Sequence, residues 1–107
     1  MDKNLSMVRG DTLSFGMEIS GIDQALDSVY FTCKSSYSAT DPAFMKSLGD
    51  GISIVEPGKY RVRVAPEDTY NLESGVYYYD LQIGINGDVF TIMRGALELE
   101  PDVTREV

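Results

Sequence analysis

A strict alternation of side chains runs through almost the whole chain and limits the possible folds more than any other feature. It is longest in residues 76–85, where one face carries Tyr77, Tyr79, Leu81, Ile83 and Ile85. Successive side chains of a strand point to opposite faces, whereas a helix places apolar residues three and four positions apart. No stretch shows that helical spacing over a useful length, so the sequence predicts an all-β protein.

Shorter stretches repeat the period of two and set the number of strands. Each puts apolar residues on one predicted face: Leu13, Phe15, Met17 and Ile19; Val29, Phe31 and Cys33; Ile52 and Ile54; Tyr60, Val62 and Val64. Residues 43–48 form a further short candidate strand. With turn signals between them, these seven or eight short strands are typical of an antiparallel β-sandwich.

Turn chemistry places the breaks between strands. Pro57-Gly58 and Asn86-Gly87 each separate two alternating runs and predict hairpins. Pro66, followed by acidic residues, predicts one short helical turn. The last alternating run covers residues 89–100, and Gly95 is expected to break it. We therefore expect one domain over residues 1–107, with its core at about 7–101 and with loose ends at residues 1–4 and 102–107.

The charge and the rare residue types exclude several functions. The net charge is −8 and no two of the nine basic residues are adjacent, which argues against nucleic acid and anionic membranes as partners. Histidine is absent, and with it the usual zinc sites and the commonest general base. Phosphate-binding glycine loops and calcium-loop spacing are also absent, so we expect neither an enzyme nor a bound cofactor or metal.

Cys33 is the single cysteine, so no intrachain disulfide can form. It falls on a predicted inward face, where a buried, inert thiol is the favoured interpretation. The sequence has no apolar run of signal-peptide or membrane-spanning length. We expect the chain to be made and folded in the cytoplasm.

The spacing of Gly75, Tyr77 and Tyr79, just after a turn, sharpens the fold prediction. Immunoglobulin domains use a tyrosine at such a strand start as a tyrosine corner, in which its hydroxyl bonds the backbone a few residues upstream. In antibody domains a disulfide cysteine follows two positions later, where this chain has Tyr79. The spacing favours an immunoglobulin-like sandwich held by apolar packing alone, with Gly75 and Tyr77 as its corner. A glycine that merely begins a tyrosine-rich strand remains the alternative.

Outward strand positions carry the candidate interface. Tyr30, Arg61, Arg63 and Tyr78 all alternate with inward residues, and tyrosine and arginine are enriched at protein interfaces. If their strands are neighbours, these residues form one exposed Tyr/Arg patch. The alternative is ordinary strand composition, which also favours tyrosine.

In this order along the chain, five segments resemble the immunoglobulin-like sandwich modules of tailed-phage and prophage structural proteins: RGDTLSF, VYFTCKSS, DPAFMKSLGDGISI, GKYRVRVAPEDTYNLESGVYYYDLQI and GDVFTIMRGALELEPDVTR. The similarity is greatest to the N-terminal domain of the phage baseplate upper protein family and spans residues 7–105. Its most specific parts are Arg9-Gly10-Asp11-Thr12, Gly75-x-Tyr77-x-Tyr79-Asp80 and Arg94-Gly95-x-Leu97-x-Leu99-x-Pro101.

The resemblance implies a virion structural protein of the tail or baseplate that docks onto other virion proteins. Whether the chain also forms a homo-oligomer stays open at this point. It also implies that Arg9-Gly10-Asp11 marks the approach to a core strand rather than an integrin ligand. In the baseplate family a receptor-binding region follows the sandwich, whereas this sequence ends at Val107. We therefore expect an accessory or connector role. The alternative is a monomeric recognition module for a carbohydrate or a host-surface protein.

Overall fold

The computed structural model describes residues 3–19 and 26–103, which contain eight strands and one short helix. In chain order these are β1 (Leu5–Val8), β2 (Leu13–Glu18), β3 (Ser28–Lys34), β4 (Phe44–Leu48), β5 (Gly51–Glu56), β6 (Lys59–Val64), α1 (Pro66–Thr69), β7 (Gly75–Ile85) and β8 (Asp88–Glu100). The alternation seen in the sequence is the alternation of burial: the inward residues of β3, of β6 and of β7 as far as Ile83 are buried, and the residues between them are more exposed. At the end of β7 the pattern changes, since Gly84 is buried and Ile85 is half-buried.

The strands form one hydrogen-bonded sheet in the order β1-β8-β7-β3-β4-β5-β6-β2. Phe15 on β2 and Phe31 on β3 are four strands apart in that order, yet their ring centroids are 5.7 Å apart. Two such rings can touch only if the sheet folds over and faces itself. The fold-over lies at the β4–β5 connection, where only Ser47–Gly51 and Leu48–Ile52 are paired. The result is a β-sandwich with a five-stranded layer, β1-β8-β7-β3-β4, and a three-stranded layer, β5-β6-β2.

An aromatic cluster fills the centre of the sandwich. Phe31 is fully buried and lies between Phe15 of the other layer and Tyr79 of the neighbouring strand, whose ring centroid is 5.3 Å away. Phe44 of β4 closes the cluster at 6.1 Å. Aromatic pairs at these separations add to the free energy gained from burying their surface. Within this cluster, the edge-to-face contact of Phe15 and Phe31, with planes inclined by 66°, joins the two layers.

The local predictions hold at most turns. Pro57-Gly58 connects the antiparallel pair β5–β6, and Asn86-Gly87 connects β7–β8 with both residues at positive φ. That conformation is the one a two-residue hairpin of type I′ requires. The helical turn begins at Pro66 as predicted. Ile54 was predicted to share the inward face with Ile52, but it is 54% exposed. The β5–β6 register shifts just after it.

The predicted break at Gly95 is wrong. Gly95 lies inside the continuous strand β8 and pairs with Tyr79 of β7. The irregularity lies three residues earlier, where Leu81 pairs with Met93 but Gln82 pairs with Thr91, so that Ile92 is the extra residue of a bulge. Glycine is required at position 95 for another reason: a Cβ there would lie 2.2 Å from the Lys3 carbonyl oxygen. Glycine at this position allows the backbone of Lys3 to approach β8 closely.

The beginning of the described chain is more ordered than the sequence suggested. Lys3 donates its backbone N–H to the Arg94 carbonyl at 2.9 Å and accepts a hydrogen bond from the Tyr79 hydroxyl. Asn4 accepts one from the Ala96 N–H at 3.1 Å. These bonds lead into β1, a strand that the sequence analysis did not predict and that pairs in parallel with β8. The expectation of a loose segment is thus wrong for Lys3 and Asn4, and also for Asp102, whose carboxylate forms an ion pair with Arg9 at 2.7 Å. Val103 is fully exposed, and residues 1–2 and 104–107 lie outside the described residues.

Two of the seven strand pairings are parallel, β1–β8 and β4–β5, and the other five among the described strands are antiparallel. The predicted antiparallel sandwich is therefore accurate for the hairpins and for the central pair β3–β7. Parallel pairing appears where a strand joins a layer from a distant part of the chain or crosses between layers.

Tyr77 makes the hydrogen bond of a tyrosine corner. Its hydroxyl donates to the Glu73 carbonyl oxygen at 2.7 Å, four residues upstream, and its ring is buried. Burial also raises the pKa of the Tyr77 hydroxyl. Gly75 begins the strand at φ 145°, in the region that favours glycine. The bond fixes the connection from α1 into β7.

Replacing Tyr77 with phenylalanine should lower the free energy of unfolding by about 1 kcal/mol, the usual net contribution of one hydrogen bond. Urea denaturation followed by circular dichroism measures it. The matched control is Tyr37→Phe, because the Tyr37 side chain is 71% exposed and its hydroxyl is hydrated when the chain is folded or unfolded. Equal effects of the two substitutions would show that the corner bond contributes nothing.

Cys33 is fully buried on β3, and burial raises the pKa of its thiol from 9.0 to about 12. The unfolded chain therefore ionises first as the pH rises, so the folded state loses stability above about pH 9, by up to about 1.4 kcal/mol per pH unit. We expect the stability advantage of the wild type over Cys33→Ala to shrink between pH 9 and 10. Urea denaturation of both proteins at pH 7, 9 and 10 measures it, and a constant difference would contradict the assignment.

Candidate docking surface

The structure does not unite the four predicted interface residues. Tyr30 and Tyr78 lie on β3 and β7, which pair directly in the five-stranded layer. Arg61 and Arg63 lie on β6 in the three-stranded layer. All four side chains point away from the core, so the tyrosines and the arginines lie on opposite outer faces of the sandwich. The single Tyr/Arg patch expected if their strands were neighbours does not form.

Tyr30 and Tyr78 instead join two other large side chains on the outer face of the five-stranded layer. Tyr37 follows β3 and is 71% exposed, and Met45 on β4 is 48% exposed. Tyr30 itself is 39% exposed. We call this surface the tyrosine face and define it by Tyr30, Tyr37, Met45 and Tyr78. It combines apolar area with hydroxyl groups, the composition that interface cores favour.

Strand register fixes the polar groups at the centre of the tyrosine face. Asp80 on β7 lies directly opposite Thr32 of β3 on one side and Arg94 of β8 on the other. Lys34 lies opposite Tyr78. The carboxylate of Asp80 is thus surrounded by hydroxyl and cationic groups that are presented on neighbouring strands. Their relative positions are set by the ladder and not by loop conformation.

Two shallow hollows make the surface concave. The Tyr37 and Tyr78 rings, with centroids 4.6 Å apart and planes inclined by 31°, form one wall of a hollow of about 270 Å³. A second hollow of about 500 Å³ lies between Tyr30 and Met45. Both hollows share Thr32, Lys34 and Asp80 in their lining. The tyrosine face is therefore one continuous surface with a polar centre between two aromatic regions.

Two members of this surface were not predicted, and the sequence carried a signal for only one of them. Met45 alternates with Phe44 and Lys46 in a short predicted strand, which already placed it on the opposite face from Phe44. Tyr37 lies in a turn-rich segment beyond β3, where no period assigns it to a face. Its position depends on the chain bending back so that its ring meets Tyr78, a contact between residues 41 positions apart.

The Arg9-Gly10-Asp11 triplet is not presented as an adhesive loop. The Arg9 guanidinium forms an ion pair with Asp102 at 2.7 Å and donates to the Leu72 carbonyl at 3.1 Å. Gly10, at φ 84°, lies in the turn between β1 and β2 and donates its N–H to the buried Thr69 hydroxyl. An integrin ligand needs both charged side chains in solvent, and Arg9 is held against the protein. The triplet joins three segments of the fold.

Within residues 3–19 and 26–103, no three histidine, cysteine or carboxylate side chains are grouped as a metal site. In the same residues no helix has the length and the apolar character needed to cross a bilayer.

Neither a scan against protein-family models nor a search of curated proteins matches this chain to anything. Solved structures do match. One is the crystal structure of the second immunoglobulin domain of the mouse polymeric immunoglobulin receptor, with a TM-score of 0.52 and 8% sequence identity. The match covers 98% of this chain and 100% of that domain. At this identity the likeness concerns the fold alone.

The chain has an immunoglobulin-like β-sandwich fold. Six strands follow the immunoglobulin order: β2, β6 and β5 occupy the places of strands B, E and D, while β3, β7 and β8 occupy those of C, F and G. In antibody domains a tryptophan on strand C packs against the disulfide between B and F. Here Phe31 on the C-like strand packs between Phe15 and Tyr79 of the B-like and F-like strands. An aromatic cluster takes the place of the disulfide.

Proposed function

We propose that this chain is a non-enzymatic docking module that binds another protein through the tyrosine face. The observation that carries the proposal is the concentration of exposed Tyr30, Tyr37 and Met45 on one outer face of the five-stranded layer. Large side chains of this kind act as anchors at protein interfaces when a partner covers them. The polar centre around Asp80 and Lys34 supplies the charged groups that fix the register of such a partner.

The sequence resemblance supports a phage or prophage particle as the setting, with another tail or baseplate protein as the partner. In particles produced by a host strain that carries this gene, the chain should copurify as a particle component. A photo-crosslinking amino acid in place of Tyr30 should join it to a second particle protein. The same amino acid in place of Ser53, which is exposed on the outer face of the other layer, is the matched control. Absence of the chain from purified particles would refute the setting, and equal crosslinking from both positions would refute the surface.

The concave shape of the tyrosine face favours a second candidate, recognition of a carbohydrate. The paired rings of Tyr37 and Tyr78 stand beside Asp80, Thr32 and Thr91, and a sugar ring can stack on an aromatic face while its hydroxyls bond such polar groups. In that case Tyr37→Ala should abolish binding on a glycan array, while Val76→Ala, outside the hollow, leaves it unchanged. An array without any bound glycan would leave protein docking as the function of this surface.

A further inference from the structure

Strand β2 lies at the end of the three-stranded layer and has one unpaired edge. Among the described residues it pairs only with β6, from Leu13–Val64 to Glu18–Lys59. Its other edge faces no strand within residues 3–19 and 26–103, so backbone N–H and C=O groups along that side can pair with another chain. Such an edge is a template for an additional strand.

An apolar cleft opens beside this edge, between the two layers. Its volume is about 490 Å³. It is lined by Phe15 and Met17 of β2, by Ile19 directly after that strand, and from the facing layer by Leu81, Ile92 and Met93. The bulge at Ile92 explains how two consecutive residues of β8 line the same cleft. The inward side chains of a strand added to β2 would enter this space.

The outer face beside the same edge is basic, in a chain of net charge −8. Lys59, Arg61 and Arg63 alternate along β6 and lie opposite Glu18, Gly16 and Ser14 of β2. Lys59 is paired with Glu56 at 2.8 Å. Neither arginine has an ion pair with a carboxylate among the described residues.

Arg61 already extends toward the free edge. Its guanidinium donates to the Ser14 hydroxyl at 3.3 Å and so lies across β2. Ser14 and Gly16 are too small to separate the two arginines from a strand on the far side of β2. That strand would lie about 9.5 Å from β6, two strand spacings away, a gap that an arginine and an acidic side chain bridge together.

We propose that β2 binds, as an added β-strand, an extended segment of another protein in which apolar residues alternate with aspartate or glutamate. The apolar side chains fill the cleft, the backbone completes the edge, and the acidic side chains pair with Arg61 and Arg63. Glu18 repels acid at its end of the strand, so the acidic residues of the partner gather near Ser14 and Gly16. This site is separate from the tyrosine face and belongs to the opposite layer.

The test uses the full chain and the labelled octapeptide EVELEVEL, with fluorescence anisotropy as the readout. Two control peptides separate the effect of alternation from the effect of charge. EEEEVLVL has the same composition without alternation, and KVKLKVKL has the alternation with reversed charge. We expect saturable binding of EVELEVEL that weakens as salt is added, and at least tenfold weaker binding of both controls. Amide chemical-shift changes should concentrate on β2 and not on the tyrosine face.

Matched variants locate the charged contact. Arg61→Glu/Arg63→Glu should weaken binding of EVELEVEL at least tenfold, whereas Lys34→Glu/Arg94→Glu, with the same change in net charge on the opposite face, should leave it within twofold. Each variant is first checked for folding by circular dichroism. The salt dependence of EVELEVEL binding to the wild type tests the electrostatic contribution without any substitution. No binding at millimolar peptide, equal binding of EEEEVLVL, or shifts confined to the tyrosine face would overturn the proposal. So would self-association of the chain that Arg61→Glu/Arg63→Glu abolishes, because the occupant would then be a second copy.

Discussion

Replacing Phe31 with alanine is expected to lower the free energy of unfolding by about 3–5 kcal/mol, the range for a large side chain removed from a packed core. Phe31 is 0% exposed and touches the rings of Phe15, Phe44 and Tyr79. Its loss leaves a cavity where Phe15 and Phe31 join the two layers. Since small domains have about 5–15 kcal/mol of stability in all, this variant should be close to the limit of folding.

The measurement is urea denaturation followed by tyrosine fluorescence, which is available because the chain has seven tyrosines and no tryptophan. Phe90→Ala is the matched control: it removes the same ring from a position that is 51% exposed, and we expect a change of less than about 0.5 kcal/mol. Phe31→Leu provides a milder substitution if the alanine variant does not fold. Similar losses for Phe31→Ala and Phe90→Ala would mean that the aromatic cluster does not hold the layers together.

The second large effect is expected at a buried ion pair. Lys46 on β4 is only 9% exposed, and its ammonium lies 2.6 Å from the Asp68 carboxylate of α1. The same oxygen of Asp68 accepts the Ala65 N–H at 2.7 Å, at the start of the helical turn. Asp68→Asn should cost about 3 kcal/mol, because it leaves the ammonium of Lys46 without its counter-charge.

A double-mutant cycle measures the interaction between Lys46 and Asp68 separately from the other effects of each substitution. Lys46→Met alone leaves a carboxylate that still bonds the backbone, and it should cost less than Asp68→Asn. The combination Lys46→Met/Asp68→Asn should be more stable than the sum of the single losses predicts, since it leaves no unpaired charge. The free energies of unfolding of the four proteins give the coupling. Strict additivity would show that the two charges do not interact in the folded chain.

Local features of the sequence were sufficient to predict local structure. Alternation assigned Phe31, Val62 and Leu81 to the buried face because neighbouring side chains of a strand must point to opposite sides. The Pro-Gly and Asn-Gly turns were predictable because few residues adopt the backbone conformations they need. The corner at Tyr77 was recognisable because the donor and acceptor are only four residues apart.

Features that depend on distant contacts were not predictable in this way. Alternation shows that Arg61 and Tyr30 point outward, but it cannot show that β6 and β3 belong to different layers. A lysine in the position of Lys46 suggests an exposed face, and only its pairing with Asp68, 22 residues away, makes its burial tolerable. Strand β1 has just four residues, and its pairing with β8 gives no local signal. Tyr30 and Tyr78 were therefore predicted individually, but the surface that they form with Tyr37 and Met45 was not.

The pairing of β1 with β8 also determines when folding can finish during synthesis. Leu5 pairs with Leu97 and Val8 pairs with Glu100, so the edge of the five-stranded layer joins nearly the first described residues to nearly the last. Hairpins such as β5–β6 can form as soon as they emerge from the ribosome, but this closure must wait until Glu100 has been translated. Contacts so far apart in sequence slow folding and prolong the exposure of unpaired strands. Until that moment β1 is a nascent strand without a partner, and the emergence of β8 from the ribosome is the step that completes the sandwich.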